Sequence, residues 1–247
     1  MKNTKKTNNN LNIVNSSFYI TYVFLMTTAT ITFIEAIRTK VPEVRNILNL
    51  ETCISVVAAF FYGKFIKMIE EKKLNSNESK MIEEKKLNSN ESKMIEYKEI
   101  NETRYIDWSI TTPIMLLVLV LALLYNNKMG SMNFFYFIII VLLNYGMLLS
   151  GYLGETKVLD KITANIIGFI FFIILYFFIY YFYVLPKYNF DNYILFFSFV
   201  ILWSIYGVFY FLDEETKNIG YNILDLFSKC FVGIFFWAYY AKVFSFD

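Results

Sequence analysis

Lys229 stands near the middle of an apolar run, Ile219–Ala241, with Asp225 four residues before it. An ammonium at bilayer depth costs roughly 2.5–3.5 kcal/mol even on a mild insertion scale, so ionisable residues kept there are usually functional. Spacing of i and i+4 puts the carboxylate and the amine on one helix face. Desolvated lysines are also the ones that condense with aldehydes to Schiff bases. The alternative, a surface salt pair on a soluble helix, conflicts with apolar residues on nearly every side of the pair. A second charged locus opens another apolar stretch as RYIDWSITTPIMLL, Arg104–Leu117. Asp107, Thr111 and Met115 follow at i, i+4 and i+8, on one face, beside Trp108. An aspartate, a hydroxyl stack and an indole inside a membrane bundle would surround a buried cation, and a protonated Schiff base on Lys229 would be that cation. The plainer alternative is a structural Arg104–Asp107 pair. Pro113 is tolerable in such a helix where hydroxyls such as those of Thr111 and Thr112 re-satisfy the backbone.

Seven apolar stretches are long enough, or nearly so, to cross about 30 Å of hydrocarbon as helices. They lie at Ser17–Ile37, Ile47–Lys67, Arg104–Tyr125, Met132–Tyr152, Ile162–Leu185, Phe190–Leu212 and Ile219–Val243. The expected fold is all-α, one seven-helix transmembrane domain over residues 1–247. Hydrophobic residues make up 57% of the chain and mean hydropathy is +0.44, well above a soluble domain, so a lipid bilayer is the expected surrounding. Net charge is only +2, which leaves no electrostatic case for nucleic acid. Histidine is absent, removing the commonest metal ligand and general base, and no metal site is expected. Cys53 and Cys230 both fall inside apolar segments and read as small core residues. The aromatic run of the fifth stretch, from Phe171 and Phe172 through Tyr176, Phe177, Phe178 and Tyr180 to Tyr181, reads as lipid-facing packing before a binding box.

Short connections join most stretches, and a polar segment, 1–16, precedes the first. The long connection, 68–103, carries KMIEEKKLNSNES twice in tandem, at Lys67–Ser79 and Lys80–Ser92. Mixed charge and low apolar content predict a solvated extracellular loop, partly helical or disordered. With the N-terminus outside and the C-terminus cytoplasmic, the inner connections carry Arg38, Lys40, Arg45, Lys128 and Lys187, in line with the positive-inside tendency. The four N-x-S/T sequons, at Asn15, Asn77, Asn90 and Asn101, then fall on the outer side.

These motifs resemble those of the microbial (type 1) rhodopsins, seven-helix retinal proteins, through all the spans. RYIDWSITTP looks like the family's third-helix signature, and LDLFSKCFVGIFFW, Leu224–Trp237, like its seventh. LWSIYGVFY, Leu202–Tyr210, looks like the sixth-helix segment, and GYLGE, Gly151–Glu155, is similar to the fourth-helix end of proteorhodopsins. ETCISVVAAFFY and FIEAIRTK, in the second and first spans, look most like rhodopsins of large algal and protist viruses. The resemblance implies all-trans retinal bound covalently at Lys229, with Asp107 and Asp225 as counterions and Asp107 as proton acceptor. It places Arg104 just outside them near Glu215, and Thr111 in the same region. Trp108, Thr112, Met115, Met147, Trp203 and Tyr206 would line the polyene, Asn144 would lie near the ring, and Met115 implies green absorption. Homo-oligomers are common in the family, and a viral member would reside in a host-cell membrane.

Two departures matter. Gly207 replaces the sixth-helix proline, and Val118 occupies the place of the carboxylate that resupplies protons in pumps. Glu51 in the second span is the obvious buried carboxylate left on the inner half. It would serve as a proton donor or, with Glu35 and Arg38 toward the inner mouth, line and gate a cation path. A hydrogen-bonded anchor between helices is the alternative for Glu51. The expected function is a non-enzymatic light-gated cation channel. An outward proton pump, with protons as the transported species, is the second reading, and a photosensor working through a separate transducer the third.

Overall fold

The computed structural model describes the backbone of residues 2–82 and 89–241 and the side chains of 13–71 and 97–241. Helix α1 covers Lys2–Arg38, α2 Pro42–Ile82, α3 Ser89–Asn127 and α4 Phe134–Glu155. Then come α5 over Lys161–Val184, α6 over Phe190–Phe209 and α7 over Glu214–Tyr240. All seven are long and apolar enough to cross a bilayer. Among the described residues two stretches are π-helical: the end of α5, Tyr180–Val184, and the middle of α7, Leu226–Phe231.

Each of the last four helices opens on an Asx cap, which satisfies N–H groups that the first turn leaves without partners. Asn133 Oδ1 accepts from the amides of Phe135 and Tyr136 at 2.9 and 3.3 Å. Asp160 Oδ2 accepts from Ile162 and Thr163, Asn189 Oδ1 from Asp191, and Asp213 Oδ1 from Thr216, all at 3.0–3.1 Å. Hydrogen bonds to their charged forms hold the Asp160 and Asp213 carboxyls below the usual carboxylate range. Asp213 also explains why α7 starts at Glu214, five residues ahead of the apolar run at Ile219: the cap sets the start where hydropathy is silent.

The tandem repeat departs from the expected loop. Its first copy lies wholly within α2, and the last four residues of the second lie in α3. Residues 83–88 lie outside the described residues. The repeat is rich in Lys and Glu, with Met and Leu, all good helix formers, and Lys67 pairs with Glu71 one turn on at 3.5 Å. Low hydropathy thus ends the membrane span without ending the helix.

Helix α3 packs against α2, α4 and α6, while α1 lies between α2 and α7. Side chains such as Phe134, Ile173 and Phe177 point outward, where lipid supplies the apolar medium. The fifth-helix aromatics divide: Phe177 and Tyr181 face out, whereas Phe172 and Tyr176 are buried. Pro113 leaves the Ser109 carbonyl without its helical donor, and the Tyr145 hydroxyl on α4 donates to it at 3.1 Å. The Thr111 and Thr112 hydroxyls, expected to fill that role, donate instead to the carbonyls of Asp107 and Trp108, at 2.9 and 2.6 Å. With the Thr112 hydroxyl engaged by the Trp108 carbonyl, the donor to Ser109 comes from α4. At Gly207 a Cβ would come within 2.5 Å of the Phe169 ring, so the glycine that replaces proline admits that ring against α6.

Candidate functional site

Lys229 lies within the π-helical turn of α7, a distortion that recurs at functional sites. Its Nζ donates to Asp107 Oδ2 at 2.9 Å and lies 3.3 Å from Asp225 Oδ2. Arg104 Nη1 stands 3.6 Å from the same Asp225 oxygen. All four groups are buried, so two cations and two carboxylates balance within one enclosed cluster. Removing any one charge would leave another uncompensated at low dielectric. Arg104 and Asp107 do not pair as a plain structural couple; each faces a partner on α7.

Neutral groups complete the cluster. Tyr62 and Tyr206 donate to the two oxygens of Asp225 at 2.8 and 2.7 Å, and Tyr206 also meets Ser228 Oγ at 3.0 Å. Arg104 donates to Asn222 and Asn218 at 2.9 and 3.3 Å and to the Tyr62 oxygen at 3.2 Å. The rings of Phe18, Tyr62, Phe65 and Tyr221 surround its guanidinium at 5.1–5.7 Å, within cation–π range. Tyr62, Asn218 and Asn222 carry no motif of their own and were not foreseeable from spacing.

A second buried cluster adjoins the first. Lys217 Nζ bonds Glu155 Oε1 and Glu214 Oε1 at 2.7 and 2.9 Å. Asn101 Nδ2 donates to both acids at 2.7 Å, and Asn218 Nδ2 donates to Asn101 Oδ1 at 3.2 Å. The acid this network takes from the start of α7 is thus Glu214, and Glu215 sits beside it, half-buried. Lys217 lies outside the apolar run, which hid it from a hydropathy reading. Asn101 and Asn15 are both buried within helices, so neither is a glycan acceptor in the folded chain, and two of the four sequons lose their bearing on orientation.

Beside Lys229 lies a largely apolar cavity. Trp108, Thr112, Met115, Met147, Trp203 and Tyr206 all line it, together with Lys229 and Asp225. Asn144 reaches it through Thr112, whose hydroxyl accepts from its Nδ2 at 2.8 Å. Phe169 and Phe172 line the wall as well, so part of the aromatic run expected to face lipid serves the cavity. The residues fit a long apolar aldehyde attached at Lys229. The lining is largely apolar, the amine of Lys229 is part of it, and Asp107 Oδ1, beside that amine, is buried with no hydrogen-bond partner among the described residues.

Glu51 lies elsewhere, between α2 and α7. It is buried, and its Oε2 has no hydrogen-bond partner among the described residues, which argues against a simple hydrogen-bonded anchor. Glu35 and Arg38 pair with each other at the end of α1, at 3.9 Å, with the Arg38 side chain largely exposed. Val118 is fully buried among Leu116, Leu119 and Ala122, a dry stretch of α3.

A family model described as bacteriorhodopsin-like protein matches residues 13–243. The crystal structure of the viral rhodopsin OLPVRII is 50% identical, covers 94% of this chain and 99% of its own, and superposes with a TM-score of 0.80. The blue light-absorbing proteorhodopsin from Med12 is 21% identical over 93% of this chain and 96% of its own, with a TM-score of 0.66. The proton-pumping rhodopsin AR2 from the marine alga Acetabularia acetabulum is 19% identical over 94% of this chain and 96% of its own, with a TM-score of 0.67. The last two likenesses concern the fold. No curated protein matches the chain.

Proposed function

This chain belongs to the bacteriorhodopsin-like proteins, the microbial rhodopsins, and from that premise we propose that it is a photoreceptor working as a light-gated cation channel. Bound at Lys229 Nζ, all-trans retinal would supply visible absorption and a change of shape on illumination. The chain's own residues do the rest. Trp108, Met115, Met147 and Trp203 exclude water along the cavity, and the buried thioether of Met115 supports absorption in the green. Asp107 Oδ2, in contact with Nζ, is the base placed to take its proton. Asp225, held by Tyr62, Tyr206 and Arg104, stays in place as the fixed counter-charge. With the N-terminus outside, the Lys217 cluster faces the extracellular side and Glu51 the cytoplasmic side.

One observation carries the channel reading. The seam between α1, α2 and α7 is lined along much of its length with polar groups, the buried Asn15, Thr21, Asn222, Ser55, Glu51 and Thr32 and the half-buried Ser17 and Thr52. Several have no partner among the described residues: both polar atoms of the Asn15 side chain, Ser55 Oγ and Glu51 Oε2. A sealed helix interface satisfies such groups; a seam that opens to ions and water has reason to leave them free. The pump reading draws on Glu51, which packs against α7 one turn beyond Lys229. Whole-cell voltage clamp with added retinal separates the two. Photocurrent that reverses sign with the cation gradient establishes the channel. Outward current at every voltage, surviving removal of sodium and potassium, overturns it in favour of a pump. In the pump case Glu51→Gln would prolong the late photocycle many-fold, with rescue by azide.

A further inference from the structure

Gly233 follows Lys229 by four residues on α7 and faces the buried carboxyl of Glu51 across the interface with α2. A Cβ built on Gly233 would come 2.9 Å from the Thr28 methyl and 3.1 Å from Glu51 Oε2, with the Thr32 methyl at 3.8 Å. The methyl contact is closer than packed atoms tolerate, and the carboxyl contact is tight enough to push Oε2 away. The room Glu51 occupies is therefore room that a side chain on α7 would take.

Two further observations bear on that room. Glu51 and Ser55, one turn apart on α2, both bury polar atoms without partners among the described residues. No hydrogen bond to that oxygen therefore fixes where the Glu51 carboxyl points, and packing must do so. Between α1 and α2, the Thr32 and Thr52 hydroxyls meet at 2.8 Å, which holds the Thr32 methyl among the groups nearest Gly233. With those contacts in place, the α7 wall at Gly233 is the one that decides how near Glu51 lies to the turn carrying Lys229.

We propose that Gly233 is a positioning residue that acts through Glu51: its missing side chain keeps the Glu51 carboxyl against the Lys229 turn of α7. The inference rests on the reading of Glu51 as a participant in the photocycle, as gate or as donor, and holds for either.

The test is a double-mutant cycle on the full chain loaded with retinal, using G233A, E51Q and the pair. Late photocycle decay is the kinetic readout. The second readout, in the dark, is the infrared band of the Glu51 carboxyl, identified by its loss in E51Q. The expected result is that G233A slows the late decay several-fold, shifts the Glu51 band, and adds nothing in the E51Q background. An unshifted band, wild-type decay, or a slowing by G233A of equal size with and without E51Q would overturn the proposal. If E51Q itself leaves the decay unchanged, the reading of Glu51 fails, whereas a slow E51Q with an indifferent G233A defeats the positioning role alone. Should G233A yield no pigment, T28S/G233A removes the closer methyl clash and carries the same comparisons. Absence of pigment in that variant too would count against the proposal, because the remaining contact asks the carboxyl to move by only tenths of an ångström.

Discussion

At the scale of single residues, function concentrates in four buried charges whose pairing is mutual. Lys229 touches both carboxylates, Asp225 is shared with Arg104, and each charge compensates a neighbour that could not stay buried alone. In the proposed function Lys229 would also carry the covalent attachment, which neither other cation nearby could assume: Arg104 is a guanidinium and Lys217 is engaged by two acids in another cluster. Lys229→Ala should therefore abolish the visible pigment, measured as absorbance of the purified chain after adding retinal. A visible-absorbing protein from that variant without added amine would sink the retinal reading altogether.

At the scale of elements, helix ends and helix contacts are set by a few local devices. The Asp160 cap belongs to a carboxyl held below its ordinary value, so its contribution is present above the usual carboxylate range and lost as pH falls through the lowered folded-state value. The stability gap between wild type and Asp160→Ala, read from thermal bleaching, should stay constant near neutral pH and narrow below about pH 4. A gap that widens on acidification would contradict the sign. Gly154 is the close-approach point of α4 and α5: a Cβ there would meet the Ala164 methyl at 2.5 Å and collide with the Tyr210 hydroxyl. Gly154→Ala should cost about 1–3 kcal/mol by overpacking, seen as a lower bleaching temperature.

For the molecule as a whole, the Lys217 cluster ties α3, α4 and α7 together at one end through Asn101, Glu155 and Glu214. Hydrogen bonds continue from it through Asn218 to Arg104, which is ion-paired with Asp225. Lys217→Met should destabilise the bundle by about 3 kcal/mol, the low end for a broken buried pair because Glu214 is partly solvated. Adding Glu155→Gln should recover part of that loss in the same bleaching assay. No recovery would mean that Lys217 acts by packing and not by charge.

Much of this was legible before any tertiary contact was known. Seven spans follow from apolar length. The pairing of Asp225 with Lys229 follows from helical spacing, and Arg104 and Asp107 stand out because charge in hydrocarbon demands a reason. These are properties of one helix at a time, and periodicity reports them directly. What lay out of reach depends on how helices turn toward one another: Tyr62 and Asn222 closing around Arg104, Tyr145 rather than a threonine answering Pro113, Gly233 making room for Glu51. The repeat shows the converse error, since hydropathy marks where a bilayer ends and says little about where a helix does. Partner choice across helices is decided by their relative rotation and by close packing, which the local pattern of apolar and polar residues leaves undetermined.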